Sequence, residues 1–136
     1  MATARRVRPP DLALARCPSA ATVGDMVYVS GERIGDEYVV DRCDITQAGK
    51  RPWGVIISKP ASASCIVQIS GEVLGIYSGL TPGSPLFLGA GDGAHLTHTP
   101  PAAPVSGKIY HQIAGQAVAS DRFNLGIQAP VVRVAG

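Results

Sequence analysis

Three histidines are the residues of this 136-residue chain that are best suited to catalysis or metal binding. His95 and His98 are three positions apart, and His111 follows later. A three-residue spacing on a helix would place two imidazoles on one face, but residues 95–99 have the composition of a short strand, in which these positions face opposite ways. Zinc also needs three or four ligands. We therefore expect the histidines to be structural or to lie at the surface, with a small hydrolase that uses one of them as an alternative.

The three cysteines are too far apart in sequence to form a CxxC motif. An odd number without close spacing favours reduced thiols over a disulfide framework, and Cys17, Cys43 and Cys65 follow that pattern. Cys65 lies in a run of isoleucine and valine, which predicts a buried and unreactive thiol. Cys43 follows Arg42 and is expected to be more exposed, so that it could pair with a neighbouring chain under oxidising conditions.

The other motifs of catalysis and ligand binding are incomplete. Ser78 has one residue too many before it for a GxSxG nucleophile turn, and Gly107-Lys108 is followed by isoleucine, which a phosphate-binding loop does not allow. The turn at 91–93 offers one carboxylate, too few for calcium. Acidic residues that could pair for acid–base catalysis all lie in hydrophilic turns: Glu32, Asp36, Glu37, Asp41 and Asp44. The sequence thus predicts no catalytic residue, no cofactor and no metal site, and we expect the protein not to be an enzyme.

Composition excludes several classes of protein. The length predicts one domain, and the net charge of +2 is too small to require a nucleic-acid partner. Apolar runs are shorter than the roughly 18 residues of a membrane helix, and the basic start lacks the apolar segment of a secretory signal. Charged residues make up 16% of the chain, against about 25% in typical domains, while 16 glycines and 11 prolines indicate many turns.

Short strands are the elements that must position these residues. Runs rich in valine and isoleucine recur every 8–12 residues between glycines and prolines, without a helical period, so about ten strands are expected. This pattern predicts an all-β fold, a small barrel or sandwich. A hairpin is expected through residues 31–35, a strand over 53–58 that Lys59-Pro60 ends, and a type II turn at Pro82-Gly83.

The first 22 residues have a different character from the rest. They carry Arg5, Arg6, Arg8 and Arg16 against Asp11 alone. Pro-Pro and Cys-Pro pairs disfavour a helix in this segment. We therefore expect an extended basic arm over residues 1–22 and a single β-domain over 23–136. The arm is either a frayed terminus or a segment that orders on the acidic surface of a neighbouring protein.

A longer pattern, over roughly residues 54–130, resembles small β proteins of tailed-bacteriophage particles, namely capsid decoration (cement) proteins and head fibres. The residues that carry the resemblance are Ile69–Gly83, Leu86–Gly89, Gly93, His95–Thr97, Pro100-Pro101 and Ile113–Ala119. The resemblance implies an all-β virion protein, often a homotrimer, that sits on the capsid and reinforces it. No site residues transfer from it beyond turn glycines and prolines.

These observations together predict a decoration protein that is located on the virion and binds the major capsid protein, with no membrane and no direct nucleic-acid contact. The arginines of the arm are the expected partner-binding residues, and deletion of residues 1–22 is expected to weaken attachment while leaving the β-fold intact. The alternative is a head- or tail-fibre module that binds the host surface.

Overall fold

The computed structural model describes residues 11–45, 50, 52–89, 95–99, 107–128 and 131–134, and these form strands and turns without a helix. The all-β prediction is therefore confirmed. The strands are β1 (Leu12–Arg16), β2 (Met26–Ile34), β3 (Glu37–Arg42), β4 (Gly54–Ala61), β5 (Ser64–Gln68), β6 (Gly71–Leu74), β7 (Pro85–Leu88), β8 (Leu96–Thr97), β9 (Lys108–His111), β10 (Ile113–Ala119), β11 (Arg122–Leu125) and β12 (Val131–Val134).

The strands form a barrel, a second sheet and a ribbon. The barrel is closed and has the order β1-β3-β2-β4-β5, whereas the second sheet is five-stranded with the order β6-β11-β10-β7-β8. Strands β12 and β9 pair as a two-stranded ribbon. Neighbouring strands are antiparallel except β1 and β3, which are parallel. A parallel pair cannot be joined by a tight turn, and here the chain reaches β3 from β1 by way of β2.

The barrel has a narrow interior filled by small and β-branched side chains. Its buried cluster consists of Ala15, Cys17, Ala21, Val27, Val40, Ile56, Cys65 and Val67. A second buried cluster combines residues of the barrel strands with residues of the second sheet. It includes Met26 and Val55 from the barrel and Leu86 and Phe123 from the second sheet. Apolar packing therefore holds the two sheets together.

Strand β1 corrects the expected boundary of the N-terminal arm. Leu12–Arg16 pairs with β5 along its whole length and with β3 at its end, and Ala15 is fully buried in the barrel. Alternation of leucine and alanine places the alanines on the inner side of the strand and the leucines on the outer side. Residues 12–16 are thus a barrel strand, and a deletion of residues 1–22 would open the barrel rather than leave it intact.

Two turn predictions are right and two strand boundaries are wrong. The 81–84 turn has Gly83 at φ +87° and a hydrogen bond from the Ser84 N–H to the Thr81 carbonyl, as type II requires. The β2–β3 hairpin exists, but it turns at 35–36 because β2 continues to Ile34. Strand β4 runs through Pro60 to residue 61. Pro60 has no register partner on either side: the pairing of β4 with β2 covers only residues 54 and 55, and the ladder with β5 shifts its register between Ser58 and Ala61.

Candidate functional site

Of the four arginines expected to bind a partner, Arg5, Arg6 and Arg8 lie outside the described residues. Arg16 ends β1 and faces outward, with its side chain about half exposed. Its Nε lies 3.6 Å from Oε1 of Glu37 on β3. An ion pair this exposed contributes little to stability, so the guanidinium stays available to a partner.

Exposed apolar side chains surround this ion pair. Leu12 and Leu14 alternate with the half-buried Ala13 and the buried Ala15 on β1, and they are 54% and 46% exposed. Ile34 is 48% exposed, and it shares the outward side with Glu37, its register partner. We call Leu12, Leu14, Arg16, Ile34 and Glu37 the β1 face. It joins apolar area to a cation, the combination that protein interfaces favour.

An aspartate and a histidine meet where the loop before β2 touches the second sheet. Asp25 is 2% exposed and accepts hydrogen bonds from the N–H and the hydroxyl of Thr22 at 2.8 and 3.1 Å. The Nε2–H of His95 donates to Oδ1 of Asp25 at 2.9 Å. A carboxylate that orients an imidazole is also found in hydrolases, where the imidazole in turn activates a nucleophile. Among the described residues, no serine, threonine or cysteine side chain hydrogen-bonds to His95.

Tyr77 completes the same contact. Its hydroxyl donates to the Gly24 carbonyl at 2.5 Å and accepts from the Leu96 N–H at 3.1 Å. Its ring stacks on Phe123, with centroids 5.5 Å apart. Burial raises the pKa of Tyr77 to about 12. One hydroxyl thus links the barrel loop to β8, and the arrangement is a structural bridge. The sequence carries no signal for it, because Asp25 and His95 are 70 positions apart.

His98 has a structural role, in agreement with the expectation that the histidines are structural or lie at the surface. Its Nε2 accepts from the Thr81 N–H, and its Nδ1 lies 2.9 Å from the Pro85 carbonyl. A ring that accepts at one nitrogen and donates at the other must be neutral. His98 therefore fastens the 81–84 turn beside β8. The side chain of His111 lies outside what the structure describes.

The cysteines differ from expectation at one position. Cys43 is 1% exposed and packs between the barrel and the second sheet, so the prediction of an exposed thiol is wrong. Burial, followed by the nearby charge of Asp41, raises the pKa of its thiol well above the usual range. Cys65 is fully buried in the barrel, as predicted. Cys17 packs in the same buried cluster.

The acidic residues do not assemble into a catalytic pair within the described segments. Asp36 lies 3.9 Å from Arg33 at the hairpin, and Oδ1 of Asp41 accepts from the N–H of Arg42 at 2.7 Å. Across the part of the chain that the structure describes, no group of three or more histidine, cysteine or acidic side chains is placed to hold a metal ion.

The outer side of the second sheet carries a groove of about 400 Å³. Amide side chains of Gln116, Asn124 and Gln128 line it beside two glycines, and every lining residue is uncharged. Gln116 donates to the Gly83 carbonyl at 3.0 Å, which fixes one wall. A groove of this chemistry suits a neutral polar ligand rather than an ion.

Comparisons with protein-family models, with curated proteins and with solved structures find no match for this chain. No described segment forms a helix with the length and apolar character needed to cross a membrane.

Proposed function

We propose that this chain is a structural virion protein that binds the outside of a tailed-phage capsid and stabilises the shell. The β1 face is the observation that carries the proposal. Leu12 and Leu14 leave about half of their side chains in water on a strand whose inward residue Ala15 is fully buried. Covering a leucine contributes about 1.5–3 kcal/mol when burial is complete, so two half-exposed leucines provide a useful but modest contact.

A modest contact is sufficient in a decoration protein because it is repeated. A homotrimer would present three β1 faces to a symmetric shell, and linking the contacts raises the effective concentration of the second and third. A protein that binds only assembled subunits shifts the equilibrium toward assembly. The proposed partner is therefore the major capsid protein, and the proposed location is the capsid surface.

The basic residues support the proposal that the β1 face contacts the capsid. Arg16 lies on the β1 face, and Arg5, Arg6 and Arg8 precede the strand in the sequence. Basic groups at the rim of an apolar contact favour an acidic partner and accelerate association with it. Since β1 belongs to the barrel, a truncation that tests these arginines must end before Leu12.

The resemblance to phage head proteins adds further support. Its residues include those that build β6, β7 and β10 of the second sheet, together with the type II turn at Gly83. The likeness therefore concerns a connected part of the fold rather than scattered turns.

A binding assay with matched variants tests the proposal. The chain is mixed with purified particles of the phage that encodes it, after removal of the native copies, and bound protein is measured by co-sedimentation. The double variant Leu12→Ser/Leu14→Ser should bind at least tenfold more weakly. The control is Leu74→Ser, which changes an equally exposed leucine (58%) on β6. Equal binding by all three proteins, or absence of the chain from intact particles, would reject the proposal.

The uncharged groove favours one alternative function, a head- or tail-fibre module that binds a neutral glycan of the host surface. Amide side chains are suitable hydrogen-bonding partners for sugar hydroxyls. Copy number distinguishes the two functions. A copy number comparable with that of the capsid protein supports decoration, whereas a few copies per particle, with glycan binding lost in Asn124→Ala, would support the fibre.

A further inference from the structure

The side-chain ammonium of Lys59 is held by three backbone carbonyls of the connection between β1 and β2. Its Nζ donates to the carbonyl of Pro18 at 3.3 Å, to that of Ser19 at 2.7 Å and to that of Ala21 at 2.5 Å. An ammonium carries three N–H donors, so each donor has one acceptor. The ion pairs of the described residues do not include Lys59, and carbonyl dipoles therefore take the place of a carboxylate partner.

Two local features bring the ammonium and the carbonyls together. The N–H of Ala21 donates to the Pro18 carbonyl at 3.0 Å, which closes a turn over residues 18–21. Lys59 itself lies within a register shift of the β4–β5 ladder. Such β-bulges re-aim side chains, and here the bulge accompanies a lysine that reaches from β4 across to the turn.

The three backbone oxygens have the chemistry of a site for a monovalent cation. We call the carbonyl oxygens of Pro18, Ser19 and Ala21 the carbonyl site. Carbonyl oxygens can replace the hydration shell of potassium, and they also accept hydrogen bonds from an ammonium ion. Calcium and magnesium are bound mainly with the help of carboxylates, and no group of acidic side chains in the described segments is placed to hold a metal ion. The suitable ligand is therefore a monovalent cation of about the size of ammonium.

We propose that the carbonyl site is a binding site for a monovalent cation, which Lys59 fills from within the chain and which accepts ammonium or potassium when the lysine side chain is removed. This inference does not depend on the proposed capsid role. Within the described segments, the Ser19 and Ala21 carbonyls have no other hydrogen-bond donor. Because Ala21 is 1% exposed, an empty site leaves a buried carbonyl without a partner, which is costly.

A cation in the carbonyl site helps to hold the contact between the barrel and the second sheet. Thr22 follows the site directly in the sequence, and its N–H and hydroxyl donate to the carboxylate of Asp25. That carboxylate accepts the hydrogen bond from His95. The cation thus fixes the start of the segment through which the barrel meets the second sheet.

Thermal unfolding of the full-length variant Lys59→Ala in different chloride salts tests the proposal. The salts are tetramethylammonium, potassium and ammonium chloride at equal concentration. Tetramethylammonium is the reference, because it carries the same charge but has no N–H group and is too large for the site. In this salt the midpoint of Lys59→Ala should lie about 5–10 °C below that of the wild type, since a buried carbonyl has lost its donor. Ammonium or potassium chloride should restore about half of this loss or more.

Lys50→Ala is the matched control. It also removes a half-buried lysine, but Nζ of Lys50 lies over the ring of Tyr28 instead of among carbonyls. The responses of the wild type and of Lys50→Ala to the three salts should be equal, and they measure the general effect of each salt. After correction for that effect, equal midpoints of Lys59→Ala in all three salts would overturn the proposal. Wild-type stability of Lys59→Ala in tetramethylammonium chloride would overturn it as well.

A second measurement applies if Lys59→Ala does not fold in tetramethylammonium chloride. The denatured variant is then refolded in each of the three salts, and the yield of folded protein is measured. A higher yield in ammonium or potassium chloride than in tetramethylammonium chloride is the expected result, whereas equal yields would contradict the proposed cation site.

Discussion

Replacement of Tyr77 by phenylalanine tests whether one hydroxyl joins the barrel to the second sheet. The change keeps the ring that stacks on Phe123 and removes only the oxygen. The Gly24 carbonyl then loses its donor, and the Leu96 N–H loses its acceptor. Both groups lie in a part-buried contact, where a polar group without a partner is costly.

The expected loss follows from these two hydrogen bonds. A buried polar group left unsatisfied costs about 1–3 kcal/mol, so Tyr77→Phe should lower the free energy of unfolding by about 3 kcal/mol. The unfolding entropy of a chain of 136 residues is about 0.3 kcal/mol per degree. The midpoint of thermal unfolding should therefore fall by about 10 °C.

Urea denaturation followed by tryptophan fluorescence measures the effect. The midpoint should shift with an unchanged slope, because the surface exposed on unfolding is the same. Tyr38→Phe is the matched control: the Tyr38 ring packs against Trp53, and its hydroxyl has no hydrogen-bond partner among the described residues. The control should change stability by less than about 0.5 kcal/mol. A loss below about 1 kcal/mol in Tyr77→Phe would refute the bridging role of the hydroxyl.

Two further predictions concern pH and packing. Tyr77 and Cys65 both hold their protons to about pH 12 in the folded chain, against about 10 and 9 when unfolded, so stability is complete below pH 9 and is lost as the pH rises toward 12. Ionisation of Tyr77 should account for about 3 kcal/mol of this loss in unfolding free energy between pH 10 and 12. Denaturation of the wild type at several pH values should show the loss. The same loss in Tyr77→Phe would contradict its attribution to Tyr77. Gly54→Ala should cost about 3 kcal/mol, because its new Cβ would lie 2.5 Å from Cγ1 of Val67. Gly126→Ala, which meets nothing within 4 Å, is the control in the same thermal assay, and equal midpoints for the two variants would exclude the clash.

The strands could be predicted from local chemistry to a large extent. Valine and isoleucine runs between glycines and prolines located most of the strands, because β-branched side chains suit a pleated sheet. A strand boundary was wrong where the prediction depended on a single proline. Lys59-Pro60 predicts the end of a strand, yet Pro60 lies within β4, beyond the ladder with β2 and at a register shift in the ladder with β5, where no partner needs its N–H.

The N-terminal segment shows a different limit. Its arginines and prolines suggested an extended arm, while the leucine–alanine alternation of Leu12–Arg16 is a short strand pattern. Only pairing with β5 and β3 reveals that these five residues complete the barrel. The sequence alone predicts a row of arginines as the partner-binding site, whereas the structure shows an apolar strand face that includes Arg16.

The sequence by itself determined the all-β class, the turn at Pro82-Gly83 and the burial of Cys65, because each depends on backbone preference or on immediate neighbours. The tertiary structure alone decided which distant residues come together: Asp25 hydrogen-bonds with His95, and Cys17 shares a buried cluster with Cys65. Strand order and barrel closure set these contacts across tens of residues. They follow from the packing of whole sheets, for which a local pattern holds no information.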